Sequence, residues 1–177
     1  IVGAFIFISM WWGALVTRYD YEIKEVTLEY DNLPESFDGY RIAQFSDLHL
    51  GSYAGDTTYV SRLVDAINGL DCDIIFFTGD LVNRQTDEAE PFIGTLGRLH
   101  ARHGVYSILG NHDYGDYRSW KSPEEKARNL QYMGEIQAEM GWQLMNNCDT
   151  CIRLGSDSIT VIGVENWGEP PFSQYGK

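Results

Sequence analysis

Two short apolar runs constrain this chain more than any other feature. Residues 73–78 (Asp-Ile-Ile-Phe-Phe-Thr) and 105–109 (Val-Tyr-Ser-Ile-Leu) are almost continuously apolar. Runs of that length suit strands covered on both faces, as in a parallel sheet sheathed by other layers. Helical patterns separate them. Val60, Leu63, Val64 and Ile67 recur at helical spacing behind Asp56 or Thr57 as N-cap. Asp87–Leu99 reads as a second helix with Phe92, Leu96 and Leu99 inward. Ser122–Met140 is the clearest helix. Ser122-Pro123-Glu124-Glu125 is a capping box with Pro at the first helical position. Leu130, Met133, Ile136 and Met140 form its apolar stripe, and Gly141 ends it. Tyr40–Phe45, Trp142–Leu144 and Ser158–Gly163 read as further strands. From residue 40 the order is β-α-β-α-β-α-β, which predicts an α/β fold with parallel strands.

The N-terminal part differs in kind. Ile1–Val16 carries no charged residue. Sixteen apolar residues fall short of the ~20 that cross a bilayer, but Trp11, Trp12, Tyr19 and Tyr21 lie near the exit of the run, where aromatic rings favour a membrane interface. A signal-peptide core or a buried helix would show the same pattern. Residues 1–19 are expected to be a membrane segment and its exit, and residues 20–177 one domain, within the roughly 100–200 residues usual for one. Tyr21–Tyr30 alternates apolar and charged residues and reads as a strand. Gly168–Gly176 reads as a loop.

The three central strands each run into a polar cluster: Ser46-Asp47-Leu48-His49, Gly79-Asp80-Leu81-Val82-Asn83 and Gly110-Asn111-His112-Asp113. Ligands of open parallel sheets bind beyond the carboxyl ends of the strands. Three such tips on neighbouring strands converge on one edge. An Asp after a strand is by itself often only a turn or capping residue. All three clusters, in order and at equivalent places, instead suit a centre for divalent cations such as Mn²⁺, Zn²⁺ or Fe, which take oxygen and nitrogen donors.

Charge sharpens the choice of partner. Thirteen basic against twenty-six acidic side chains leave a net charge of −13. Such a chain repels a phosphate backbone unless the field is reversed locally, so nucleic acid is an unlikely partner on charge alone. Bound cations would reverse the field at the strand tips. Three cysteines are too few for a disulfide scaffold. Cys148 and Cys151 have C-x-x-C spacing, but a four-ligand zinc site would need a second pair and only Cys72 remains.

In these three clusters the sequence resembles the calcineurin-like metallophosphoesterases, whose pattern is Asp-x-His, Gly-Asp and Gly-Asn-His-Asp/Glu on a β-α-β-α-β frame. The resemblance covers about Tyr40–Asn166. It is strongest to the bacterial membrane-associated branch, which Gly163-Val164-Glu165-Asn166-Trp167-Gly168 also resembles. It implies an α/β sandwich and two divalent metal ions (Mn, Fe or Zn). Asp47 and His49 would bind the first metal, Asp80 would bridge both and Asn111 would bind the second. His112 would assist the leaving group as an activated hydroxide attacks phosphorus in line. The implied substrate is a phosphomonoester or phosphodiester. A membrane anchor would suit a lipid-linked or envelope-derived one at a bacterial plasma membrane.

Two departures accompany the resemblance. Many relatives pair the catalytic His with an Asp three residues after the bridging one, and here that position is Asn83. Its amide oxygen is expected to orient His112 while stabilising an imidazolium less than a carboxylate would, with Asp113 as a compensating group. The family also completes its metals with later histidines, including a Gly-His-x-His motif. The remaining histidines, His100 and His103, precede the strand at 105, and six residues of strand span about 20 Å, so neither reaches the tips. The C-terminal half of the family fold is therefore expected to be missing and the chain alone to be nearly inactive. A catalytically silent scaffold and a metal-dependent nuclease are the alternative readings.

Overall fold

The computed structural model describes residues 2–15, 21–170 and 173–176. They fall into two compact units, Ile1–Asn32 and Leu33–Lys177. In the first, α1 (Val2–Leu15) is a 14-residue helix whose large side chains, Phe5, Phe7, Trp11 and Trp12 among them, are exposed. At 1.5 Å per residue it is about 21 Å long, against a hydrocarbon core of about 30 Å. No described helix is long and apolar enough to cross a membrane, so the expected span is not supported by α1 itself. Ile1, Val16 and Tyr19 lie outside the described residues. The strand expected at Tyr21–Tyr30 is not formed: these residues are exposed and carry no ladder pairing. Alternation supplies a strand with a face, but a strand also requires a neighbouring backbone to accept and donate its hydrogen bonds.

In the second unit, β1 (Ile42–Phe45), β2 (Ile74–Phe77), β3 (Val105–Ser107) and β4 (Trp142–Leu144) form one parallel sheet in that spatial order. Phe45 is level with Phe77, Phe77 with Ser107 and Ser107 with Leu144, so the strands finish together. Successive side chains of a strand point to opposite faces, and both faces are covered. Ile75, Phe77 and Val105 join a core with Val60, Val64 and Ile67 of α2 (Thr58–Gly69), Leu96 of α3 (Ile93–Leu96), and Met133 and Ile136 of α4 (Pro123–Glu139). Ile74 and Tyr106 meet Phe37, Met145 and Ile152 on the other face. Each such large apolar side chain, once fully buried, stabilises the fold by about 1.5–3 kcal/mol.

The hairpin of β5 (Cys148–Leu154) and β6 (Asp157–Gly163) covers that second face as a separate antiparallel sheet. The strand expected at Ser158–Gly163 is present, and its partner β5 is additional to the expected elements. Cys148 and Cys151, on β5, are free and exposed. The helix expected at Asp87–Leu99 is replaced by a 3-10 helix over Thr86–Phe92 and the short α3. Pro91 has no N–H to give to an α-helical ladder. α4 begins as its sequence indicates, with Ser122 Oγ accepting from Glu125 N at 3.3 Å. The return bond runs to Lys121 N, which donates to Glu125 Oε2 at 2.8 Å. Gln137 adds a buried polar member to the apolar stripe, bonded to Ser107 Oγ of β3 at 2.5 Å.

Candidate metal centre

The ends of β1, β2 and β3 are tied into one body by main-chain bonds. Asp47 N donates to Gly79 O at 3.0 Å, His49 N to Asp80 O at 3.1 Å and Leu50 N to Leu81 O at 2.9 Å. Leu48, Leu50, Leu81, Val82 and Leu109 are buried around these bonds, so the polar residues between them are held from below. Asp47, His49 and Asp80 adopt left-handed backbone, with φ of 58°, 45° and 62°. Non-glycine residues rarely do so, and such conformations persist where the surroundings over-determine them.

Glycine is required at two places. A Cβ on Gly79, whose φ is +102°, would penetrate the backbone of Gly110. A Cβ on Gly110 would strike the carboxylate and N–H of Asp80. The second and third loops thus meet main chain to main chain.

Asp113 locks that contact. Its fully buried carboxylate accepts from Asp80 N (2.9 Å), Leu81 N (2.8 Å), Val82 N (3.2 Å) and Gly110 N (2.9 Å). Burial pushes this carboxyl up to about 7, and the N–H donors pull against that rise. Only the ionised form can accept all four bonds.

Above this base, ligand atoms of His49, Asp80 and His112 lie within 4.8 Å of one another. His49 Nε2 is 3.8 Å from Asp80 Oδ2 and 3.9 Å from Asp47 Oδ1, longer than hydrogen bonds. His49 Nδ1 is buried with no hydrogen-bond partner. One carboxylate and two imidazoles, those of Asp80, His49 and His112, therefore converge, with Asp47 beside His49 alone, and these donors fit a divalent cation. Asp80 is the central member. Its Oδ1 accepts from His112 N at 3.0 Å, and its side chain is 14% exposed against 65% for Asp47. The ring of His112 meets that of His49 edge-on, with centroids 4.7 Å apart.

A calcineurin-like phosphoesterase family model matches residues 40–170. The chain belongs to that family. A transmembrane protein with metallophosphoesterase domain from Danio rerio is 34% identical over 56% of this chain and 23% of its own length. The Bacillus subtilis metallophosphoesterase YkuE is 36% identical over 54% of this chain and 34% of its own. The UDP-2,3-diacylglucosamine pyrophosphatase LpxG of Chlamydia trachomatis is 41% identical over 50% and 28%. The chain thus spans about a quarter to a third of the length of these relatives.

The outer residues of the site differ from expectation. Asn83 meets His112 through its main chain: His112 Nδ1 donates to Asn83 O at 2.8 Å. The Asn83 side chain turns to Ser52, with Nδ2 donating to Oγ at 3.0 Å, and its Oδ1 is buried without a hydrogen-bond partner. The expected amide contact to the ring is therefore corrected to a carbonyl contact. Asp113 does not compensate for Asn83 either, since its oxygens are committed to the four amides. Asn111 Nδ2 donates to Tyr117 Oη at 2.6 Å. Two residues here had no sequence signal. Glu88 Oε2 accepts from Asn83 N at 2.6 Å and holds the second loop, and Tyr117 stacks on His112. His100 and His103 lie at the far end of the sheet, where His103 N donates to Asp73 O before β2.

Proposed function

We propose that this domain hydrolyses a phosphoester with divalent cations held at the tips of β1, β2 and β3. The convergence of His49, Asp80 and His112 carries the reading. Asp47 and His49 would hold a cation on the β1 side and Asn111 one on the β3 side, with the Asp80 carboxylate available to both. A carboxylate offers two oxygens to a shared position, whereas an amide offers one. When bound, such cations polarise a phosphoryl oxygen and supply a nucleophile at neutral pH.

His112 serves the leaving oxygen. Its Nδ1–H is fixed on the Asn83 carbonyl, which sets the ring plane and reserves Nε2 for the substrate side. The ring is held whether it is neutral or protonated, because a carbonyl accepts from either form. Asn111, as a neutral ligand, limits the negative charge facing an anionic substrate.

Among the described residues, few histidine and carboxylate donors lie within reach of one cation, so coordination positions are left to be completed. We therefore expect residues 1–177 alone to bind Mn²⁺ more weakly, and turn over more slowly, than a form extended to the length of the relatives. Exposed α1 and the acyl-bearing substrate in the name of LpxG favour a lipid-linked phosphoester at a membrane surface.

Metal analysis of the protein beside an Asp80→Asn variant tests the reading. The parent should hold about two divalent ions per chain. The variant should lose affinity by more than the roughly 10–100-fold that removal of an outer partner costs, and turnover with it. An Asp80→Asn variant that keeps its metal and its rate would refute the assignment.

A further inference from the structure

We propose that Tyr117 is a positioning residue of this centre, holding the amide of Asn111 and the ring of His112 together. The inference rests on the reading of Asn111 as a metal ligand and His112 as the leaving-group donor. Tyr117 lies five residues beyond His112 on the loop that follows β3. Its ring stacks on His112 with centroids 4.1 Å apart and planes 14° apart. Its hydroxyl oxygen accepts from Asn111 Nδ2 at 2.6 Å.

The chemistry of the amide gives that bond its meaning. Asn can ligate a cation only through Oδ1, because Nδ2 has no available lone pair. Committing Nδ2 to Tyr117 turns Oδ1 the other way and prevents the amide from presenting its N–H groups to the metal. The stacked ring restrains His112 across its face, while Asn83 O restrains it at its edge. One side chain therefore sets the orientation of two site residues that have no hydrogen bond to each other.

The loop is built to hold Tyr117 in place. Trp120 Nε1 donates to Gly115 O at 2.6 Å. Asp116 pairs with Lys126 of α4 and accepts from Tyr175 Oη at 2.5 Å. Tyr175 stacks on the buried Tyr114 at 3.6 Å. The residues on both sides of Tyr117 are thus anchored, while Tyr117 itself is 42% exposed. Its replacement should therefore leave the fold intact, which thermal melts of each variant check.

Tyr117→Phe keeps the ring and removes the hydroxyl, and Tyr117→Leu removes both. Two readouts separate the roles: Mn²⁺ affinity by calorimetry, and the His112 ring proton shifts by NMR in metal-free protein. Outer partners of metal ligands are worth roughly 10–100-fold in affinity. Tyr117→Phe should weaken Mn²⁺ binding about tenfold or more and leave the His112 shifts unchanged. Tyr117→Leu should weaken binding at least as much and move those shifts downfield as the ring current is lost. Parent-like Mn²⁺ affinity in Tyr117→Phe, or unmoved His112 resonances in Tyr117→Leu, overturns the proposal while the metal centre stands. A parent protein that takes up no Mn²⁺ refutes the metal centre itself, and the role of Tyr117 falls with it.

Discussion

Gly110→Ala tests whether backbone geometry sets the site. The added Cβ would lie 2.5 Å from Asp80 N and 2.8 Å from Asp80 Cγ, and closer still to Oδ1. Real Cβ contacts essentially never fall below 3.0 Å. Asp80 has little room to retreat. Its N–H is held by Asp113 at 2.9 Å, and its Oδ1 is held by the amide of His112 at 3.0 Å. Overpacking of this kind costs about 1–3 kcal/mol, and each of the two strained hydrogen bonds adds about 0.5–1.5 kcal/mol. The sum is about 2–6 kcal/mol, which lowers the melting temperature of a chain this size by roughly 5–20 °C. Because the displaced group is the central carboxylate, Mn²⁺ affinity should fall in parallel. Circular dichroism melts and calorimetric Mn²⁺ titration measure the two effects. Gly134→Ala is the control. Gly134 lies inside α4 with its nearest neighbour, Leu144 Cδ2, at 3.9 Å. There an alanine should raise stability by about 0.5–1 kcal/mol. A Gly110→Ala protein that melts within about 2 °C of the parent and binds Mn²⁺ equally well would show that the loops accommodate a side chain and that the steric account is wrong.

Other perturbations probe the parts around that contact. At about pH 8, above the raised value of its carboxyl, Asp113→Asn places an NH₂ group against two of the four backbone donors, and urea unfolding should show a loss of about 2–5 kcal/mol. His112→Gln should lower turnover of an alkyl phosphodiester by about a hundredfold or more, and that of an aryl ester with a good leaving group much less; equal losses would deny His112 an acid role. Burial raises the Asp116 carboxyl, and hydrogen bonds from Lys126, Tyr175 and Ser173 more than reverse this and leave it below its ordinary value. A lowered carboxyl contributes stability above its unfolded value and loses it as pH falls through the folded one. The gap of about 0.5–1 kcal/mol between the parent and Lys126→Met at neutral pH should therefore close below about pH 4, as denaturation at several pH values would reveal.

The frame and the inner site were legible in the sequence for one reason. The strands at Ile74–Phe77 and Val105–Ser107 are short, apolar and followed directly by glycine-bearing polar clusters, so sheet topology brings His49, Asp80 and His112 together, with Asp47 beside His49. What was not legible depends on the backbone or on distant partners. Asn83 looked like a side-chain partner of His112, yet its carbonyl makes the contact, and main-chain atoms leave no compositional trace. Asp113 ends a familiar cluster, but its grip on three consecutive amides of another loop appears only once the loops are juxtaposed. β5 was hidden because Cys148–Leu154 mixes exposed polar residues with one buried side chain, Ile152. Tyr21–Tyr30 failed in the opposite sense, since its pattern is strand-like but no neighbouring strand pairs with it. Tyr117 is one of eleven tyrosines, and nothing in its spacing distinguishes it from the others.

Where Gly79 and Gly110 touch, nothing but polypeptide separates two of the three tips. The gap is therefore gauged by the radii of carbon and nitrogen, and no rotamer can widen or narrow it. Repacking in the layers beneath would translate both tips as a pair and leave their spacing intact. The proposed centre would inherit that tolerance from peptide geometry, and substitutions in the supporting core should change how firmly the protein folds well before they change its Mn²⁺ affinity.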